Sequence, residues 1–214
     1  MDGPLATLIS GAPNFRCASS TSDFLFAVAQ PTEFGIRGVL NHILLKSDEL
    51  GTEHPQILWV NLREEPMIYI NGRPFVLREL EHPLQNMSAA RGIDADRIAS
   101  MEARMRENIN AEAKSQRNNV LIHCERGLKV IPVWEAVLSN TINTPEQVYQ
   151  FLQSAGTGYS VRYKRIPLTP ERCFELSVFD QLIHLFRSCD RQTYLVFNCQ
   201  MGRGRSTYCA ILRL

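Results

Sequence analysis

Tyr194-Leu195-Val196-Phe197-Asn198-Cys199-Gln200-Met201-Gly202-Arg203-Gly204-Arg205-Ser206-Thr207-Tyr208-Cys209-Ala210-Ile211-Leu212 is the stretch that decides how this chain of 214 residues is read. An apolar run of strand type enters a short loop with two glycines, and a helix is expected to start just after it. Cys199 and Arg205 are separated by five residues within that loop. Glycine lets the backbone curl so that successive N–H groups converge on one anion, and a helix N-terminus adds favourable partial charge. Both effects lower a thiol pKa and populate the thiolate. The stretch therefore reads as a phosphate site with a nucleophile at its floor. Gln200, Met201, Gly202, Arg203 and Gly204 form the cradle, and the planar fork of Arg205 is suited to two phosphate oxygens. Ser206 is placed to donate a hydrogen bond to the departing sulfur. Arg203 reads either as a second cation facing a substrate with several phosphates or as a solvated loop charge.

Working outward, apolar strands alternate with amphipathic helices. Phe24 to Ala29 reads as a strand, and Thr32 caps a helix whose inner face is Ile36, Val39, Leu40, Ile43 and Leu44. Ile57 to Val60 is a second strand. Met67 to Ile70 and Phe75 to Leu77 flank Asn71-Gly72-Arg73-Pro74, which predicts a β-hairpin. Asp94 caps a helix reaching about Ser115, with Ile98, Met101, Met105 and Ile109 on its apolar face. Val120 to His123 reads as a short buried strand. Thr144-Pro145-Glu146-Gln147 is a capping box with proline at the first helical position, and Val148, Phe151 and Leu152 are expected to face inward. Tyr159 to Ile166 is a strand, followed by a proline-forced loop. Phe179, Leu182, Ile183 and Phe186 mark the helix before the Cys199 strand. The expected class is α/β with a central, mostly parallel sheet and ligands at the carboxyl ends of its strands. Residues 1–22, rich in Gly, Pro, Ser and Thr, read as a loosely structured lead-in to one domain over 23–214.

Lys plus Arg (23) nearly balances Asp plus Glu (22), so no overall basic field argues for nucleic acid. No run of about 18 apolar residues predicts a transmembrane segment. Six cysteines without a CxxC pair fit a reducing, cytoplasmic setting. The five histidines are scattered, and no metal site is predicted. His123-Cys124 starts like a second phosphate loop, but Val130 stands where its arginine belongs, so Cys124 reads as structural, with Arg126 or Lys129 as candidate substrate-facing cations. Arg63 and Glu64 follow a strand end and read equally as pocket residues or as an ion pair ordering their loop.

The loop 198–206, Asn61-Leu62-Arg63-Glu64-Glu65 with Ile70-Asn71-Gly72-Arg73-Pro74, and Tyr163-Lys164-Arg165-Ile166-Pro167-Leu168-Thr169 together resemble the paladin family. That family sits in the broader group of cysteine phosphatases that includes bacterial tyrosine-phosphatase-like phytases. The resemblance extends from about Ser10 to the end. It implies a tyrosine-phosphatase-like fold, a phosphorylated inositol or phosphoinositide substrate, a phosphocysteine intermediate and no cofactor. Peripheral contact with phosphoinositide membranes is compatible with it.

Three departures qualify the resemblance. Asn198 stands where tyrosine phosphatases usually carry histidine. Pro170 stands where the bacterial relatives carry an acidic aspartate, which leaves Glu171 as the nearest carboxylate to protonate the leaving oxygen, with Glu175 and Asp180 as fallbacks. Nine residues follow Arg205, fewer than in the relatives, which implies a unit clipped at its C-terminus. The alternative function is a weak or inactive pseudophosphatase that holds phosphate ligands and regulates signalling. A sulfur-transfer or arsenate-reducing enzyme is the third reading, which the hairpin and Arg165-to-Thr169 fit poorly.

Overall fold

The structure, a computed structural model, describes residues 8–18, 24–87, 92–127, 129–154, 158–170 and 175–213. Among these residues five strands form the central sheet, in the spatial order β1 (Arg16–Cys17), β2 (Leu25–Val28), β10 (Tyr194–Asn198), β3 (Gln56–Asn61) and β9 (Ser160–Arg165). The last four are parallel, and only β1 runs antiparallel at its edge. Both faces are covered, so β2, β10 and nearly all of β3 are buried at every position rather than alternately.

On one face, α1 (Glu33–Glu49) and α3 (Pro145–Ser154) pack over Phe26, Val28, Ile57, Trp59 and Val196. On the other, α4 (Leu176–Arg187) and α5 (Gly204–Arg213) contribute Leu182, Phe186, Cys209 and Ala210 against Leu58, Val60, Leu195 and Phe197. Thr32 accepts the Gly35 N–H as the α1 N-cap. Thr144 and Gln147 exchange the two reciprocal bonds of a capping box at α3.

Between β3 and β9 the chain builds a satellite layer. The β-hairpin β4 (Met67–Ile70) and β5 (Arg73–Val76) turns on Asn71 and Gly72, both at positive φ (50° and 74°). This two-residue turn is tighter than expected, and Arg73 and Pro74 belong to the strand. β8 (Ile142–Asn143) adds to β4. The helix α2 (Ala95–Ser115), capped by Asp94, packs on these strands through Ala113, with Met105 and Ile109 beside it.

Four expectations are corrected. Residues 8–18 are not a loose lead-in: Ala12 and Phe15 are buried, Phe15 stacks on Phe26, and β1 pairs with β2. Small residues allow this packing, since a Cβ on Gly35 would lie 2.0 Å from the Gly11 carbonyl oxygen. The strand at Val120 runs longer, as β6 (Asn119–Arg126), and pairs with β7 (Lys129–Ala136) in a separate hairpin, with only alternate residues buried. In α3, Tyr149 takes the inward place expected for Phe151, which is 56% exposed, because it stacks on Tyr163 and meets Trp59. Ile183 of α4 is exposed, and Leu182 and Phe186 carry the contact.

Candidate active site

The carboxyl ends of β2, β10, β3 and β9 lie side by side, and the loop after β10 crosses them. Cys199 leaves the sheet 3% exposed, its N–H bonded to the Val28 carbonyl. Gly202, at φ +66°, rests on the end of β2. A Cβ there would lie 2.4 Å from the Ala29 nitrogen and 2.6 Å from the Val28 carbonyl carbon, so glycine is required by both conformation and space. Helix α5 begins at Gly204, which aims its first free N–H groups back toward the loop.

Ser206 Oγ lies 3.5 Å from Cys199 Sγ. Burial raises the thiol pKa, but hydrogen bonds from the Ser206 hydroxyl and N–H, the Arg205 charge and the Gly202 N–H outweigh it, and the net shift is downward. Among the described residues no hydrogen-bond donor is aimed at Cys209, and only the Arg205 charge acts in the same direction there. Burial, with the neighbouring Cys199 charge, pushes it up to about 12. Arg205 is buried and fixed from behind, its Nη1 donating to the carbonyls of Leu62 (3.2 Å) and Leu168 (2.9 Å). Arg203 is exposed.

Beside the loop, Arg63 is 2% exposed and its Nε donates to Glu65 Oε2 at 3.2 Å. Of the two readings of Arg63 and Glu64, the ion pair does form at Arg63, but with Glu65. Glu64 turns away and accepts from Thr169 Oγ1 (2.8 Å) and the Gly92 N–H (3.3 Å), tying the end of β3 to the loop after β9. Burial lowers the Arg63 pKa, Glu65 opposes this, and the like charges of Arg205 and Arg78 lower it further. Burial disfavours charge on Glu65, yet Arg63 and Arg205 hold it below the ordinary carboxylate range. Among the described residues, Arg63 Nη2 has no hydrogen-bond partner. Arginines crowded around one carboxylate leave cationic capacity for an anion.

Asn198 braces the loop through its amide. Its Oδ1 accepts from Trp59 Nε1 (2.9 Å), and its Nδ2 donates to Gln30 Oε1 (3.1 Å) and Asn61 Oδ1 (3.3 Å). Gln30 Nε2 in turn donates to Tyr69, whose hydroxyl donates to the Pro31 carbonyl. Asn61 Nδ2 donates to the Tyr163 hydroxyl, which also accepts from Arg165. Arg165 closes the chain on Glu102 of α2 at 2.7 Å. The residue before Cys199 is thereby tied to the hairpin and to α2.

Cys199, Arg205, Ser206 and residues 200–204 lie together at the end of β10, with Arg63 adjoining. Glu171 lies outside the described residues. Glu175 stands exposed at the N-terminus of α4 without a side-chain capping bond, and Asp180 is exposed on that helix. Cys124, Arg126 and Lys129 sit on the β6–β7 hairpin. Sequence reasoning missed Asn14 and Arg16, which bond the loop carbonyls of Met201 and Gly202. The alternation Phe15-Arg16-Cys17 was the available signal, obscured by the polar composition around it. Gln30 and Glu65 were also passed over. Among the described residues, no helix is long and apolar enough to cross a membrane.

Comparison with known proteins agrees with this fold. Paladin from Gallus gallus is 26% identical over 193 residues, 88% of this chain but 20% of the relative; paladin from Danio rerio is 27% identical over 93% of this chain and 21% of the relative. The chain thus spans about a fifth of the length of these relatives. Among solved structures, the PTP-like myo-inositol phosphatase from Mitsuokella multacida in complex with myo-inositol-(1,3,4,5)-tetrakisphosphate superposes with a TM-score of 0.60 at 18% identity, over 88% of this chain and 28% of that one. A PTP-like phytase from Bdellovibrio bacteriovorus gives 0.58 at 17%, over 91% and 59%. Residues 60–214 match the family described as PTP-like phytase, inositol hexakisphosphate, and the chain belongs to that family.

Proposed function

We propose that the chain is a cysteine-dependent phosphatase hydrolysing phosphate monoesters of inositol phosphates or phosphoinositides. The observation that carries this is the buried Cys199 thiol, made more acidic by Ser206, Arg205 and the Gly202 N–H at the floor of an N–H-lined loop. Cys199 Sγ attacks phosphorus as the bond to the ester oxygen breaks, and Glu171 gives that oxygen its proton. The cradle N–H groups of residues 200–204 and the Arg205 fork neutralise the equatorial oxygens. Water then attacks the phosphocysteine, phosphate leaves, and Ser206 hydrogen-bonds the returning thiolate.

Arg63 and Arg203, with Arg205, favour a substrate carrying several phosphates, and the ligand named with the Mitsuokella structure is of that kind. The test is phosphate release from inositol phosphates, phosphoinositides and phosphotyrosine peptides, by the native chain, Cys199→Ser and Glu171→Gln. Release from the inositol compounds, abolished in Cys199→Ser, is expected. Phosphate-ligand binding without release from any substrate returns the pseudophosphatase reading, and full activity in Glu171→Gln removes that residue as the acid.

A further inference from the structure

Three consecutive carbonyls of the loop are held from outside. The Gln200 carbonyl accepts the Gln30 N–H at 3.2 Å. The Met201 carbonyl accepts Asn14 Nδ2 at 2.9 Å. The Gly202 carbonyl accepts Arg16 Nη1 at 2.6 Å. In a planar trans peptide the N–H points opposite to the C=O. Pinning these oxygens outward therefore turns the N–H groups of Met201, Gly202 and Arg203 toward the cradle, and the Gly202 N–H does reach the Cys199 sulfur. Without the pins a loop containing two glycines has little to stop its peptides from rotating.

We propose that Asn14 and Arg16 are positioning residues that preset the phosphate cradle, an inference resting on the phosphatase reading of the loop. Their own backbone is fixed for the task. Phe15 between them is buried and stacked on Phe26, Arg16 pairs with Ala27 across β1 and β2, and the Pro13 carbonyl accepts the Ala29 N–H. Asn14 sits at φ +57°, a conformation asparagine tolerates better than most residues. The Arg16 fork spans two elements: Nη1 takes the loop carbonyl, and Nη2 donates to Thr207 Oγ1 in the first turn of α5 at 2.7 Å. Burial lowers the Arg16 pKa, while the Cys199 thiolate favours its charge and Arg203 opposes it, so the cation lies within electrostatic reach of the site.

The test uses the full chain with inorganic phosphate as the calorimetric probe and the pH profile of Cys199 alkylation by iodoacetamide as the second readout. Asn14→Asp keeps the shape and backbone preference but presents an acceptor to the Met201 carbonyl. Asn14→Gly keeps the positive φ and removes the donor. Arg16→Lys keeps the charge and loses the fork. Each is expected to stay folded by circular dichroism, to bind phosphate roughly tenfold more weakly, and to move the Cys199 midpoint to higher pH. Native-like affinity and midpoint in folded Asn14→Asp and Asn14→Gly would overturn the inference for Asn14. Native-like behaviour in Arg16→Lys would show that charge alone suffices and overturn it for Arg16. If the native chain neither binds phosphate nor shows an acidic Cys199, the phosphatase reading falls and takes the inference with it, whereas native binding with unaffected variants removes the inference alone.

Discussion

Ser206 Oγ approaches Cys199 Sγ to 3.5 Å at the buried floor of the loop, on the first turn of the helix that follows it. The hydroxyl and the N–H of the same residue both favour the thiolate. Ser206→Ala removes the hydroxyl alone. The pH midpoint of Cys199 alkylation should rise toward that of an ordinary thiol, and any turnover should fall. The folded chain's depressed thiol pKa contributes stability above the ordinary thiol pKa and loses it as pH falls through the depressed value. Ser206→Ala should therefore narrow the stability difference between alkaline and neutral pH, read by urea denaturation.

Two buried cysteines ten positions apart offer an internal control. Cys199 is shifted down and Cys209 up to about 12, because among the described residues hydrogen-bond donors are aimed at the Cys199 sulfur and not at that of Cys209. Brief alkylation at neutral pH followed by peptide mapping should label Cys199 and spare Cys209. Equal labelling would mean that the donors around Cys199 do not set its reactivity.

Gly202→Ala tests the seat of the loop. The added Cβ meets backbone atoms of Val28 and Ala29 rather than a movable side chain, at a φ that alanine resists. The loop has to lift from β2, so phosphate binding should be lost even where the fold survives. Gly204→Ala, where a Cβ meets nothing within 4 Å, should bind phosphate within about a factor of two or three of the native chain, the scale of a propensity change in a first helical turn.

The parallel sheet was legible because strands buried on both faces read as continuous apolar runs, as in Tyr194 to Phe197 and Ile57 to Val60. The caps at Thr32, Asp94 and Thr144 were legible because they are local chemistry. What the sequence concealed is long-range. Asn14 meets Met201 across 187 positions and Asn198 meets Gln30 across 168, and polar residues forming a buried network look like surface residues in any local window. The β6–β7 hairpin was concealed for a related reason, since half of its residues face outward and Trp134 is 57% exposed.

Asn198→Ala examines whether a neutral amide suffices to brace the nucleophile loop. The substitution leaves the buried Trp59 indole N–H without its acceptor and the half-buried Gln30 oxygen without its donor, while the Asn61 oxygen keeps the Arg63 N–H. Each orphaned buried group costs about 1–3 kcal/mol. A loss of stability of that order, together with weaker phosphate binding, is expected from denaturation and calorimetry. Asn198→Asp should be worse than alanine for folding, because its carboxylate accepts from Trp59 but meets the Gln30 and Asn61 oxygens with another acceptor.

Glu102→Ala probes the far end of the same network. Glu102 is 3% exposed, accepts the Met67 N–H at 3.0 Å and pairs with Arg165, whose Nη1 already has no partner among the described residues. Burial raises the Glu102 pKa, and Arg165 recovers only part of that cost. A raised carboxyl pKa gives stability that is fully present below the unfolded value and lost as pH rises through the folded one. Glu102→Gln removes that pH dependence and keeps an oxygen for Met67. Removing one member of a buried pair costs about 3–5 kcal/mol, so Glu102→Ala should be strongly destabilised and Glu102→Gln less so, with a flatter dependence of stability on pH. If Arg165 and Tyr163 also transmit position to Asn61 and Asn198, Glu102→Ala should shift the Cys199 alkylation profile as well; an unmoved profile in the folded variant would confine the pair to holding α2 against the sheet.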